Sequence, residues 1–212
     1  MLETRIQHIP RRCTWIIGVD EAGRGPVAGP VSIGIAMIKR KDLPGLLTEY
    51  PKLKDSKKLS PSKREELLSQ ALLDEQLGKL FARTVLVPAR AIDQRGISVC
   101  IKEAITNGIT ELLEFTGIDQ KHVFVHLDGA LRGPVMLRQQ TTIRGDNKIF
   151  SIALASIYAK TSRDKAMEHY DLIYPQYGFY THKGYGTAEH MKRIKECGVC
   201  PIHRKTYLKK YL

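Results

Sequence analysis

Residues 15–38 read WIIGVDEAGRGPVAGPVSIGIAMI, and this stretch decides the fold. The apolar run 15–19 predicts a buried strand that stops at the carboxylates Asp20 and Glu21. Three glycines and two prolines then form a tight loop, and residues 31–38 predict a second strand. Because the connection is short, we expect the two strands to pair antiparallel.

Outward from this hairpin, the patterns alternate between strands and helices. Further strands are predicted over residues 81–87, 123–127 and 140–144, and helices over 61–72, 97–115 and 149–159. The last 40 residues predict two short helices. The resulting order, β-β-α-β-α-β-β-α with a helical tail, predicts an α/β protein with a mixed sheet flanked by helices.

The composition narrows the class of protein. The chain has 212 residues, with 34 Lys and Arg against 22 Asp and Glu, and hence a net charge of +12. No apolar run is long enough to span a membrane and no secretory signal is evident, so we expect a cytoplasmic protein with four reduced cysteines. The excess positive charge indicates a polyanionic partner, and nucleic acid and an anionic membrane surface are both candidates.

Four acidic residues, Asp20, Glu21, Asp128 and Asp146, lie at predicted strand ends or strand-to-helix junctions. Loops at strand ends collect functional groups in α/β folds, so these carboxylates converge if the three ends are adjacent. Oxygen ligands of this kind hold hard cations such as Mg²⁺ or Mn²⁺. Two such ions, roughly 4 Å apart, would serve phosphodiester cleavage.

Each acid also has a simpler interpretation. Asp20 and Glu21 are equally typical of solvated residues at a strand end. Asp128 precedes Gly129, and Asp-Gly pairs are common in turns. Asp146 lies just before a predicted helix, where Asp is a favoured cap. The pattern alone leaves both interpretations open.

The glycine-rich segment after the first strand also invites two interpretations. Gly23, Gly25 and Gly29 are followed by a strand rather than a helix, which argues against a dinucleotide-binding turn. A backbone that can approach a phosphate or sugar closely, with Arg24 between two glycines, is one alternative, and a simple tight turn is the other.

The C-terminal pair Cys197 and Cys200, followed by His203, is similar to half of a zinc knuckle. Structural zinc needs four ligands, and no second pair with suitable spacing accompanies these residues. We therefore do not expect a zinc site.

Six blocks, spread over the chain in order, resemble bacterial ribonuclease HII. They are GVDEAGRGPVAGP (18–30), DSKKLSPSKREEL (55–67), HLDG (126–129), GDNKIFSIALASIYAKTSRD (145–164), YPQYGFYTHKGYGT (174–187) and CPIHRKTY (200–207). The resemblance implies an RNase H-like mixed five-stranded sheet over residues 1–180 and a small basic helical portion over 181–212 packed on it.

The resemblance also implies roles for individual residues. The metal-binding and catalytic acids of the family, which hold two Mg²⁺ or Mn²⁺ ions, fall on Asp20, Glu21, Asp128 and Asp146. The loop that contacts the 2′-hydroxyl and phosphate falls on Gly23, Arg24 and Gly25. Tyr185 falls on the tyrosine that stacks on the adjoining sugar, although a buried core tyrosine is the alternative. Lys57 is similar to a phosphate-contacting lysine.

The implied activity is hydrolysis of the RNA strand of RNA–DNA hybrids and cleavage 5′ of ribonucleotides embedded in duplex DNA, by a monomer that acts on no membrane. A non-catalytic basic RNA-binding protein and another two-metal nuclease, such as a junction resolvase, are the alternatives. Residues 182–212 hold eight Lys and Arg against two Glu, a net charge of +6. This basic tail is therefore expected to grip a duplex backbone.

Overall fold

A computed structural model of the chain describes residues 9–53 and 59–209. Its sheet has five strands in the order β3-β2-β1-β4-β5. The strands are β1 (Trp15–Ala22), β2 (Val31–Lys39), β3 (Leu80–Val87), β4 (Val123–Asp128) and β5 (Arg138–Thr142). The first three pair antiparallel, whereas β4 runs parallel to β1 and β5 parallel to β4. The predicted hairpin and the mixed sheet are confirmed.

Eight helices surround this sheet in the part of the chain that the structure describes. They are α1 (Leu43–Glu49), α2 (Pro61–Gln76), α3 (Ala89–Arg95), α4 (Ile97–Thr116), α5 (Phe150–Ile173), α6 (Phe179–His182), α7 (Ala188–Cys197) and α8 (Lys205–Leu208). The short helices α1 and α3 were not predicted. Each buries only two apolar side chains, Leu43 and Leu46 in α1 and Ala89 and Ile92 in α3, and two positions are too few to show a helical period.

Several boundaries differ from the sequence prediction. Strand β1 continues through Asp20 and Glu21 to Ala22 rather than stopping at residue 19, and α2 ends at Gln76 rather than at residue 72. Helix α5 continues to Ile173 rather than stopping at residue 159, because its later polar residues, among them Arg163, are buried and bonded to protein groups. Strand β5 covers Arg138–Thr142 rather than 140–144. It is a polar edge strand, RQQTT, so no alternation of apolar residues marks its ends.

Helix α5 lies directly on the central strands because two glycines leave room for it. A Cβ atom on Gly18 of β1 would collide with the backbone of Ser151, and one on Gly34 of β2 would collide with the carbonyl oxygen of Ala155. These two positions bring the first half of α5 into backbone contact with the sheet. They therefore set how close α5 comes to the C-terminal end of β1, where the candidate site lies.

Apolar side chains fill both faces of the sheet. One cluster lies beneath α2 and α5 and the other beneath α4. A third, smaller cluster joins the end of α5 to α7 and the C-terminal segment. There the C-terminal portion packs on the loop after β1, since the amide of Gly29 donates to Ile202 and that of Arg204 to Val27. The division into residues 1–180 and 181–212 stays a prediction.

Over residues 9–53 and 59–209, we find no helix with the length and apolar character that a membrane span requires. All four cysteines are free, as predicted, and three of them are buried.

Candidate active site

The strand register places Asp20 and Asp128 side by side. Val19 of β1 pairs with Leu127 of β4, so the two acids are the next residues along neighbouring parallel strands. Adjacent strands lie about 4.8 Å apart. Side chains four residues apart on a strand point to the same face of the sheet. Asp20 therefore shares a face with Ile16, and Asp128 with Phe124, and both of these apolar residues pack beneath α5. Both carboxylates therefore lie on the α5 side of the sheet.

The turn that follows β5 brings in the third acid. The amide of Gly145 donates to Oδ1 of Asp128 at 2.6 Å, so the Asp128 carboxylate anchors the 3₁₀ turn Gly145–Asn147, which carries Asp146. Three separate segments of chain thus meet at one end of the sheet. Asp20 and Asp146 are buried, with exposures of 1% and 0%.

This placement tests the simpler interpretation of each acid. Asp20 is not a solvated strand-end residue. Asp146 is not the cap of α5, because the N-cap is Ile149 and no side chain caps that end. Asp128 and Gly129 do enter a turn, with the amide of Gly129 bonded to Thr142, but the Asp128 carboxylate also bonds the 145–147 turn.

Glu21 is partly exposed, as Asp128 is, whereas Asp20 and Asp146 are buried. Glu21 follows Asp20 on β1. Its carboxylate lies 3.5 Å from the Arg24 guanidinium. Within the described ranges, no three His, Cys, Asp or Glu side chains are grouped as the ligands of one ion. The structure thus brings Asp20, Asp128 and the Asp146 turn together, and places Glu21 on the rim.

An open cleft of about 200 Å³ begins at Glu21, the residue after Asp20. The end of β1, from Glu21 to Gly23, forms one wall, and Tyr185 lies across from it. Helix α5 supplies Ser156, Lys160 and Arg163, which the sequence analysis did not predict as site residues. Their spacing, i, i+4 and i+7, is the signal that could have revealed them, because it places them on one face of an otherwise apolar helix.

The glycine loop between β1 and β2 needs glycine for conformation and for space. Gly23 has a φ of +89°, and a Cβ atom there would collide with the side chain of Arg163. Gly25, in contrast, has no atom within 4 Å of its Cβ direction, so its backbone is open to approach. The loop is held by tertiary contacts and is not a simple tight turn. The Arg163 Nε atom donates to Pro30 at 3.0 Å.

Tyr185 is half-exposed at 49%, so the alternative of a buried core tyrosine is wrong. Its ring lies 5.9 Å from the Arg163 guanidinium, an arrangement that leaves the far face of the ring open to the cleft. Lys57 lies outside the described residues.

Arg163 is the central cation of this cleft. Its Nη2 atom donates to the carbonyls of Lys183 at 2.8 Å and Ala28 at 3.4 Å, in addition to the bond to Pro30. Burial, and then the charge of the neighbouring Arg204, lower its pKa to about 10. The group is therefore a buried cation at neutral pH, bonded to backbone carbonyls of the glycine loop and of Lys183.

Comparison with known proteins identifies the family of the chain. The sequence model of the ribonuclease HII family matches residues 17–210. Ribonuclease HII of Ruminiclostridium cellulolyticum is 39% identical over 212 residues, which cover 100% of this chain and 77% of that protein. Ribonuclease HII of Geotalea daltonii is 42% identical over 192 residues, covering 91% of this chain and 82% of that protein.

The fold has a counterpart among solved structures. The crystal structure of the ribonuclease H2 from Pyrococcus horikoshii OT3 superposes with a TM-score of 0.73 at 28% identity, over 93% of this chain and 96% of that one. The five-stranded sheet with its flanking helices is thus an RNase H-like fold. The chain belongs to the ribonuclease HII family, a family of endonucleases of the hydrolase class.

Proposed function

We propose that the chain hydrolyses the RNA strand of RNA–DNA hybrids and cuts on the 5′ side of ribonucleotides embedded in duplex DNA. The observation that carries the proposal is that Asp20, Asp128 and Asp146 lie at one end of the sheet, where Glu21, the residue after Asp20, lines a cleft together with cations of α5. Hydrolysis would break the bond between phosphorus and the 3′ oxygen. The products would carry 5′-phosphate and 3′-hydroxyl ends.

The residues that would hold two Mg²⁺ or Mn²⁺ ions are Asp20, Glu21, Asp128 and Asp146. Their donors suit hard cations, since all four groups supply carboxylate oxygens. Such ions supply activation of a water and neutralisation of charge on the leaving oxygen. The chain contributes by holding the oxygens on β1, β4 and the turn after β5.

Recognition of the ribose falls to the glycine loop and Tyr185 in this proposal. The 2′-hydroxyl distinguishes RNA from DNA at a given site, and reading it requires close approach. The open backbone at Gly25, next to Gly23 and the exposed Arg24, offers that approach. The exposed ring of Tyr185 would stack on the adjoining sugar.

The positive charge would supply general affinity for the duplex. Lys160 would face phosphates in the cleft, the buried Arg163 would add positive charge behind it, and the basic tail 182–212 would contact the nucleic-acid backbone beyond the cleft. We further propose that Lys57 contacts a phosphate, and that the protein acts as a cytoplasmic monomer.

The test uses a DNA duplex that contains one ribonucleotide, incubated with the protein and Mg²⁺ or Mn²⁺. We expect one metal-dependent cut on the 5′ side of the ribonucleotide. Asp20→Asn should abolish the cut while duplex binding is retained. Glu111→Gln, at an exposed position of α4, is the matched control and should cut normally.

Two results would overturn the proposal. An intact duplex with retained binding would indicate a protein that binds nucleic acid without cutting this substrate. Cleavage of branched, all-DNA substrates in preference to the ribonucleotide duplex would indicate a junction resolvase.

A further inference from the structure

Two consecutive residues of the C-terminal portion, His203 and Arg204, connect to the glycine loop and the Tyr185 segment through buried hydrogen bonds. Both are buried, although each carries a polar side chain that could serve as a surface group. They are joined to the loop by their own backbone as well. His203 forms an isolated β-bridge with Ala28, and the amide of Arg204 donates to Val27 at 2.7 Å.

The Arg204 guanidinium holds the glycine loop by three hydrogen bonds. Nη2 donates to the carbonyl of Gly23 at 2.7 Å, Nη1 to that of Arg24 at 3.0 Å, and Nε to that of Gly29 at 3.0 Å. These carbonyls lie at both ends of the loop, so one planar group fixes its curvature. Lysine has a single nitrogen and cannot reproduce this fork.

His203 connects to Tyr185 through a second buried histidine, His190. The amide of Cys200 donates to Nδ1 of His203 at 2.9 Å, which leaves the proton of His203 on Nε2. That Nε2 lies 3.1 Å from Nε2 of His190, which must therefore accept and carry its own proton on Nδ1. His190 Nδ1 then donates to the carbonyl of Tyr185 at 2.8 Å.

The two held elements are also bonded to each other. The carbonyl of Gly184 accepts from the amides of Val27 and Ala28 at 2.9 and 3.2 Å. Arg163 bonds the carbonyls of Ala28 and Lys183. The glycine loop and the Tyr185 segment are therefore one unit, which residues 203 and 204 anchor from the C-terminal portion and Arg163 anchors from α5.

We propose that His203 and Arg204 are positioning residues that set the distance between the glycine loop and Tyr185, and thereby the fit of the enzyme to a single ribose. The inference rests on the proposed function of those two elements. Neither residue lines the cleft, so both act through the groups that they hold.

The first test is Arg204→Lys, with Arg95→Lys at an exposed position of α3 as the matched control. Steady-state cleavage of the single-ribonucleotide duplex should show a KM raised at least roughly tenfold, since hydrogen bonds from a charged group are lost at both ends of the loop. A smaller folded fraction would lower the apparent kcat and leave KM unchanged. A folded Arg204→Lys protein with a KM within twofold of the unmodified protein would overturn the inference.

Amide hydrogen exchange provides a readout that needs no activity. In Arg204→Lys, the amides of Val27, Ala28 and Gly29 should exchange faster than in the unmodified protein, whereas those of α4 should be unchanged. Unchanged exchange at these three amides would overturn the inference even if KM rose. If the unmodified protein did not cut the duplex, the proposed function would fail and the exchange result would still test the positioning role.

A second pair of variants covers the case in which Arg204→Lys does not fold. Asn carries its amide nitrogen two bonds from Cβ, as His carries Nδ1, so His190→Asn keeps a donor for the Tyr185 carbonyl, whereas His190→Leu removes it. We expect a moderately raised KM for His190→Asn, which keeps the donor to Tyr185 but loses the bond to His203, and a KM raised further, several-fold, for His190→Leu, which loses both bonds. Equal KM values for the two variants would overturn the inference.

Discussion

Acid should destabilise this protein through the buried pair His190 and His203. Burial lowers the pKa of each ring to about 4, against about 6.5 for an exposed imidazole. Both rings are neutral in the bonded chain, and a second proton would place two N–H groups against each other between the Nε2 atoms. Between about pH 6.5 and pH 4, the unfolded chain binds protons at these positions that the folded chain excludes.

The sign and size of the effect follow from this difference. Because the unfolded state binds more protons in that window, the free energy of unfolding falls as the pH falls from about 6.5, and stops falling below about 4. Each pH unit costs about 1.4 kcal/mol per histidine, so each ring accounts for roughly 3 kcal/mol and the pair for roughly 6. That is a large part of the 5–15 kcal/mol typical of a domain.

Urea titrations at several values between pH 5 and 7 measure this dependence. His126, which is also buried and has a pKa lowered to about 4, contributes to every variant and cancels in the comparison. His190→Asn should reduce the slope of unfolding free energy against pH by about 1.4 kcal/mol per pH unit. His169→Asn, at an exposed position of α5, should leave the slope unchanged. Equal slopes for His190→Asn and the unmodified protein would refute the reasoning.

Two further predictions concern packing and charge. Gly34→Ala should destabilise the protein by about 2 kcal/mol, because the added Cβ would collide with the backbone of α5. Gly45→Ala in α1 should be neutral or stabilising, because a Cβ at that position meets no atom within 4 Å. Urea denaturation of both variants measures the difference, and equal effects would contradict the packing argument. Affinity for a DNA–RNA hybrid should fall by roughly a hundredfold between about 50 and 200 mM salt if four or more phosphates are contacted. Replacement of the exposed Lys192 and Lys195 of the tail by Gln should flatten that dependence, and a flat response in the unmodified protein would contradict the role of the tail.

Local patterns were sufficient for the hairpin at the centre of the fold. The run 15–19, the glycine loop and the run 31–38 each depend on neighbours in sequence, and the structure confirms the pairing of β1 with β2. The same patterns failed for β5, which is a polar edge strand, and for the end of α5, where buried charges continue the helix. In both cases, the environment that decides the element comes from distant parts of the chain.

By itself, the sequence determined the central hairpin, the acids near the strand ends, and, through the resemblance, the family and four candidate catalytic residues. Only the tertiary structure decided that Asp20 and Asp128 are neighbours and that the Asp128 carboxylate holds the turn of Asp146, since both depend on strand order and register. The anchoring of the glycine loop by Arg204 could not be predicted from the sequence either, because Arg204 bonds Gly23 across 181 residues. Periodicity reports contacts between near neighbours, whereas this site is built from segments that only the packing of α5 and the C-terminal portion brings together.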